Sequence, residues 1–439
     1  MGYEIFVRSF HDSDSDGIGD LAGIAAKLDY LEDLGVDLIW LTPIHPSPSY
    51  HGYDVTDYRA VNPQLGTLQD FRALAAVARR RGMRIILDLV INHTSSQHPW
   101  FVASASSPTG DKRDWYLWRD DDPGWKQPWG SHAPAWHKSG TYYYYGLFWE
   151  GMPDLNLENQ AVMNEVSGIV SFWLEQGASG FRLDAARHLT EDPDGNLCDT
   201  KGTHRAANKI KSAMRAVDPR SLLVAEAWTK AEAVAAYAGD NDEYDLAFNF
   251  DLAAVMPTAL LAEDPGGVEP VLQRTEAAFA RRGFDAPFFE NHDMDRLRTR
   301  LGNRTGPLRV AAALLLTLPG TPFIYYGQEI GMANATGCQG DLCRRGPMDW
   351  GEVEAQRADP GSLLNLYRKL IRLRRDKPAL ASSCRKRLPT DTPEVYAYLR
   401  GSGDQRLLVM LNFSPKARKA RVRDKDYFLP PFGLSTLSL

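Results

Sequence analysis

Three acidic residues follow three separate apolar runs: Asp184 in GFRLDAARH (180–188), Glu226 in LLVAEAW (222–228) and Asp293 in FFENHDMDR (288–296). Each run reads as a strand, so the three carboxyl groups can project from strand ends into one pocket. That arrangement suits cleavage of a glycosidic bond. A retaining glycosidase uses one carboxylate to attack the anomeric carbon and one carboxylic acid to protonate the leaving oxygen, at roughly 5 to 5.5 Å separation. Asp184 and Glu226 fit those two posts.

A second chemistry is written near the start, in DSDSDGIGD (12–20). Asp12, Asp14, Asp16, the carbonyl of Ile18 and Asp20 alternate with small residues and turn-forming glycines. Hard-cation loops use such spacing because oxygen ligands must wrap around Ca²⁺ at about 2.3 to 2.6 Å. Without a cation, the like charges of a purely solvated loop would repel one another. A structural Ca²⁺ is therefore expected here, with Mg²⁺ as the alternative.

The elements that must position these groups alternate from the first residues: YEIFVRSF, LAGIAAKLDYLEDLG, VDLIWLTP, LQDFRALAAVARRRG, MRIILDLVINH. This βαβα rhythm predicts a parallel sheet with outer helices. ASGFRLDA, SLLVAEAW, YDLAFNF, DAPFFENH and TPFIYYG bring the strands to eight, separated by helical stretches around 206–217 and 308–318. The predicted fold is α/β, a closed (β/α)₈ barrel over 1–92 and 155–378. Residues 93–154 form a stretch too long for an ordinary βα loop and too aromatic for disorder, read as a subdomain inserted after strand three. From 379 to 439 the pattern turns to EVYAYLRG, QRLLVMLNF and ARKARVRD without helices between them, which predicts a small antiparallel β-sandwich.

With 50 basic and 56 acidic residues in 439, the formal net charge is −6, and the charges are interspersed. No basic face for nucleic acid or anionic lipid stands out, so a neutral substrate is expected. The four cysteines (Cys198, Cys338, Cys343, Cys384) show no zinc-like pairing with histidines. Cys338 and Cys343 flank a tight turn and read equally as a local disulfide or as two free thiols. No segment approaches the apolar length of a membrane span. The chain opens directly on a strand-like run, which leads to the expectation of a removed leader and a secreted or periplasmic protein, with the cytoplasm as the alternative. A monomer is expected.

DLVINHTS (88–95) ends a strand with Asp88, Asn92 and His93, and HGYDVTDY places Gly52 and Tyr53 after strand two. Together with the three acids, MPDLN (152–156), YYGQEIGM and RRGPMDW, these motifs resemble the α-amylase superfamily of glycoside hydrolases over essentially the whole chain. The calcium-like loop and MPDLN resemble a subgroup between oligo-1,6-glucosidases and neopullulanase or α-amylase types. The resemblance implies Asp184 as nucleophile, Glu226 as general acid and then base, and Asp293 as the acid that helps distort the ring toward an oxocarbenium-like state. Arg182, on the same strand face as Asp184, would hold that carboxylate ionised. Ala225, Ala227 and Trp228 would raise the Glu226 pKa. His93 and His292 are implied as donors to sugar hydroxyls, Tyr53 as the platform beneath the cleaved sugar, and Arg187 with His188 as the grip on glucan beyond the cleavage point. A second calcium is implied at Asn92, Asp154 and the carbonyl of His188.

Glucosidases of this family that release single terminal sugars carry an aspartate three residues before the platform tyrosine. Here that place is Tyr50, so Arg345, its usual partner, is expected to lack a mate and the cleft to be open. These features imply an endo-acting α-amylase on α-1,4-glucan. A 4-α-glucanotransferase, a cyclomaltodextrinase or neopullulanase, and an exo-α-glucosidase remain alternatives within the family, and an inactive glucan-binding module outside catalysis. The aromatic crowding of the insert, including Trp115, Trp125, Trp129, Trp136 and 142–145, reads mainly as its core.

Overall fold

The computed structural model describes residues 1–130, 132–238, 243–279 and 284–439. Eight strands, β1 (Gly2–Ile5), β2 (Leu38–Leu41), β3 (Arg84–Leu89), β4 (Gly180–Leu183), β5 (Leu222–Ala225), β6 (Leu246–Phe248), β7 (Asp285–Ala286) and β8 (Phe323–Tyr325), form one parallel sheet. They pair in chain order from β1 to β7, and β8 returns to pair with β1. The amides of Thr321 and Phe323 donate to the carbonyls of Asp285 and Pro287, both at 2.9 Å, and so join β8 to β7. The result is the barrel the alternation predicts.

Side chains alternate across each strand. Trp40, Ile86, Val224, Phe248, Phe288 and Phe323 fill the barrel interior, and residues such as Ile39, Ile85, Leu183 and Leu223 pack outward against the helices. An interior so filled is a core rather than a pore, which leaves the ends of the strands as the place for chemistry. The outer helices carry clear sequence signals. Leu68–Arg80 begins with a capping box in which Thr67 and Asp70 satisfy each other's backbone amides. Gln160–Gln176 ends at Gly177 in the left-handed region.

After β3 the chain forms helix Pro99–Ser106 and a three-stranded antiparallel sheet of Trp118–Arg119, Tyr142–Tyr145 and Trp136–Ser139. Its aromatics are mostly core: Phe101, Trp115, Tyr116 and Tyr144 join the main core, and Trp136 and Tyr145 form a second cluster with Trp125 and Trp129 against it. Past 379, strands Arg385–Leu388, Val395–Arg400, Leu407–Asn412 and Leu434–Ser438 make an antiparallel sheet. The hairpin Arg418–Val422 with Lys425–Leu429 covers it, and Val395, Ala397, Leu408 and Met410 meet Ala420, Val422 and Leu429 between the two layers. Cys338 and Cys343 form a disulfide, and Cys198 and Cys384 are free thiols. Among the described residues no helix is long and apolar enough to cross a membrane.

Candidate active site

The strand register brings the acids together. Asp88 on β3 lies opposite Arg182 on β4, and Arg182 lies opposite Val224 on β5. Asp184 and Glu226 follow at the ends of β4 and β5. The Arg182 guanidinium, fully buried, bridges three carboxylates: Nη1 to Asp88 at 2.7 Å, Nη1 to Asp184 at 2.6 Å and Nη2 to Glu226 at 2.7 Å. One cation therefore ties both principal acids to a single planar group. Ala185, directly after Asp184, adopts φ +48°, an uncommon conformation outside glycine. Its amide donates to Glu226 Oε2 at 3.0 Å, so the turn that ends β4 also fixes the second acid.

Burial and charge set the protonation states. Burial pushes the Glu226 carboxyl up to about 8, since the Arg182 charge cannot offset burial together with the nearby charges of Asp184 and Asp293. Asp88 rises to about 6, chiefly by burial, with Arg182 opposing. Asp293 goes the other way. Burial would raise it, yet His292 and Arg345 outweigh that and hold it well below the usual carboxylate range. His292 Nε2 contacts Asp293 Oδ2 at 2.9 Å, and its Nδ1 contacts Glu4 Oε1 at 2.6 Å. Against the cost of burial, these two carboxylates raise the imidazole to about 10, so His292 is a cation at neutral pH.

Two cavities meet at these acids. One of about 340 Å³ is lined by His51, Tyr53, His93, Phe148, Trp149, Met152, Asp184, Glu226, Asp293, Asp341 and Arg345. The other, about 670 Å³, is lined by Pro128, Trp129, Phe148, Ala185, Arg187, His188, Cys198, Glu226, Trp228 and Asp293. Glu226 and Asp293 border both, whereas Asp184 borders only the smaller.

Most sequence-predicted residues assemble here, with several differences in detail. Tyr53 is positioned by Gly52, whose φ of +84° and approach to Pro43 leave no room for a Cβ. The Tyr53 ring stacks on His292 at 5.4 Å, and its hydroxyl donates to Asp88 at 2.9 Å. His93 lines the smaller cavity with Nε2 at 3.1 Å from the Tyr53 carbonyl. His292 differs from expectation, being wholly buried behind Asp293 and bordering neither cavity. Arg187 and His188 border the larger cavity, but the Arg187 guanidinium is held by Asp199 and by the Trp228 carbonyl.

Arg345 corrects the expectation that it lacks a partner. Its Nη2 reaches Asp293 at 2.8 Å and Asp341 at 3.4 Å, and Nη1 donates to the Tyr50 hydroxyl at 3.2 Å. Asp341 stands four residues earlier, inside the disulfide loop, and supplies the acid that position 50 does not. Sequence reasoning also missed Glu4, an acid within an otherwise uncharged buried strand. That oddity was the available signal.

The first cation loop brings one oxygen each from Asp12, Asp14 and Asp20 within 4.8 Å of one another. An all-oxygen set of this kind fits a hard cation. Asp16 lies outside this group, and its Oδ1 accepts from the Ile18 amide at 2.7 Å. Asp20 also caps helix Leu21–Ala26 through the Gly23 amide. At the second suspected site, Asn92 Nδ2 donates to Asp154 Oδ2 at 2.9 Å, and Asn92 Oδ1 is buried without a partner. Burial raises Asp154 to about 7, and Glu191 close by rises to about 8. An orphan oxygen beside a buried acid also fits a cation. Among the described residues no hydrogen bond joins His188 to this pair; its Nδ1 faces the Leu197 carbonyl at 2.8 Å.

A barrel with paired carboxylates at its strand ends, one kept protonated, defines a glycoside hydrolase. The family model for the α-amylase catalytic domain matches residues 4–350. The chain is 38% identical to α-amylase 3 of Dictyoglomus thermophilum, covering 94% of this chain and 84% of that protein. It is 32% identical to an oligo-1,6-glucosidase of Heyndrickxia coagulans, over 94% and 91% of the two chains. The crystal structure of an α-amylase from H. orenii superposes with a TM-score of 0.90 at 37% identity, covering 99% and 98%. The chain belongs to the α-amylase catalytic-domain family and is a glycoside hydrolase.

Proposed function

We propose that the protein is a retaining, endo-acting α-amylase that hydrolyses α-1,4 bonds of starch or maltooligosaccharides. The observation that carries this reading is the division of the cleft. A nucleophile must lie beneath the ring it attacks, so the cavity bordered by Asp184 holds the donor sugar. The acid that protonates the leaving oxygen must face both sides, as Glu226 does. The larger cavity then receives the leaving glucan, and a chain can cross the acids from one cavity to the other.

In the first step Asp184 attacks the anomeric carbon while Glu226 gives its proton to the departing oxygen. In the second, Glu226 as a carboxylate takes a proton from water, which attacks the covalent glucosyl ester and releases Asp184. Arg182 keeps Asp184 oriented, and Asp293, held anionic by His292 and Arg345, faces the hydroxyls of the distorted ring. Asp12, Asp14 and Asp20 would hold a structural Ca²⁺, and Asn92 with Asp154 a second. Such cations would brace loops rather than react.

Product analysis of maltoheptaose tests the endo assignment. Early products are expected to be oligosaccharides of intermediate length. Glucose released stepwise would mark an exo-glucosidase instead, and a rise in longer glucans would mark a transferase.

A further inference from the structure

Large aromatic side chains in the insert are buried or half-buried, but Trp149 is 46% exposed at the donor cavity. Its neighbour Phe148 turns inward, packing on His93 at 5.1 Å and Trp129 at 5.3 Å. Trp149 borders the same cavity, and among the described residues no aromatic ring packs on it. It is nonetheless held in place. A Cβ at Gly151 would fall 2.2 to 2.7 Å from the indole atoms Cζ2, Cη2 and Cε2, so the ring lies directly against the bare glycine backbone.

The turn beneath the ring is itself fixed. The Met152 amide donates to the Trp149 carbonyl at 2.9 Å, Ser96 to Gly151 at 2.9 Å and Thr94 to Pro153 at 3.0 Å. Fixing a large side chain sacrifices rotamer freedom, and core burial ordinarily compensates. Here nearly half the indole stays in solvent, so the compensation must come from elsewhere. An apolar face presented at the edge of a sugar cleft is suited to the C–H face of a pyranose ring.

We propose that Trp149, seated on Gly151, is the platform for the glucose unit on the non-reducing side of the unit being cleaved, so that the enzyme favours α-glucans with at least two donor-side units. This inference rests on the assignment of Asp184 and Glu226 to the donor and shared walls. It adds a residue that sets chain-length preference.

The test compares kcat/KM for maltopentaose with that for α-glucosyl fluoride, which fills only the place of the cleaved unit. Trp149→Ala is expected to lower the ratio of the two about tenfold or more. Gly151→Ala, which displaces the ring without removing it, should lower the ratio in the same direction, and Trp149→Tyr should restore most of it. An unchanged ratio in Trp149→Ala, with both substrates affected equally or not at all, overturns the platform. Wild-type turnover of both substrates that is lost in Asp184→Asn shows that the parent reading stands in that case. If the wild type turns over neither, that reading falls and the platform falls with it.

Discussion

The Glu226 carboxyl, at about 8 against 4.5 for an unperturbed glutamate, makes pH the sharpest probe of the proposed chemistry. Its proton is required for the first step, so activity is present below this value and lost as pH rises through it. A group titrating at about 8 is protonated in about nine of ten molecules at pH 7 and in about one of eleven at pH 9. For maltopentaose, kcat/KM should therefore hold steady around neutrality and fall about tenfold per unit well above pH 8. That alkaline limb reports the free enzyme, the state described here.

Glu226→Gln is nearly isosteric but cannot deliver an acidic proton. It should cost about 10²- to 10⁴-fold in kcat/KM, or about 3 to 5 kcal/mol, and it should abolish the limb. α-Glucosyl fluoride, whose leaving group needs little protonation, should lose far less in the same variant. An alkaline limb near pH 5, or one that survives in Glu226→Gln, would refute the assignment of Glu226 as the acid.

Other expectations follow from the same geometry. Arg182→Met leaves Asp88, Asp184 and Glu226 without their shared cation and should destabilise the fold by about 3 to 5 kcal/mol, read by denaturant unfolding; a loss below about 1 kcal/mol would contradict the bridging role. Glu4→Gln removes one of the two carboxylates that hold His292 at about 10, so the imidazole should titrate lower by NMR, and an unchanged titration would contradict the pairing. Chelation should lower the melting temperature and added Ca²⁺ restore it, the ion contributing about 2.7 kcal/mol at a hundredfold excess over its Kd. A melting curve indifferent to both would remove the cation from Asp12, Asp14 and Asp20. Cys338→Ser with Cys343→Ser should free the Asp341 loop and raise KM for maltopentaose more than for α-glucosyl fluoride, and equal effects would separate the disulfide from the cleft.

The barrel was legible because buried parallel strands must be short continuous apolar runs, and each of the eight in this chain is bounded by turn or helix signals. Asp184 and Glu226 stood out because a charge immediately after such a run has few structural reasons to exist, and Asp293 because it stands in the polar ENHD segment that follows another. Partners set by how a loop folds back on itself were not legible. The mate of Arg345 was sought at position 50, whereas the fold supplies Asp341 from a loop whose disulfide the cysteine spacing had left open. Arg187 looked free to grip substrate, yet Asp199, at φ +54°, folds back to hold it. Spacing alone also gave Asp16 the same rank as Asp14, and each accepts from the amide two residues on, yet Asp14 gathers with Asp12 and Asp20 and Asp16 does not. Registers within a strand can be counted along the chain, whereas ion pairs within a loop depend on how that loop folds back.

The most direct measurement is to trap the covalent intermediate. Incubating Glu226→Gln with an α-glucosyl fluoride should leave the first step fast relative to the second, and peptide mapping by mass spectrometry should find one glucosyl unit esterified to the segment bearing Asp184. A label on another acid, or turnover of the fluoride by an Asp184→Asn variant at the wild-type rate, would contradict the account.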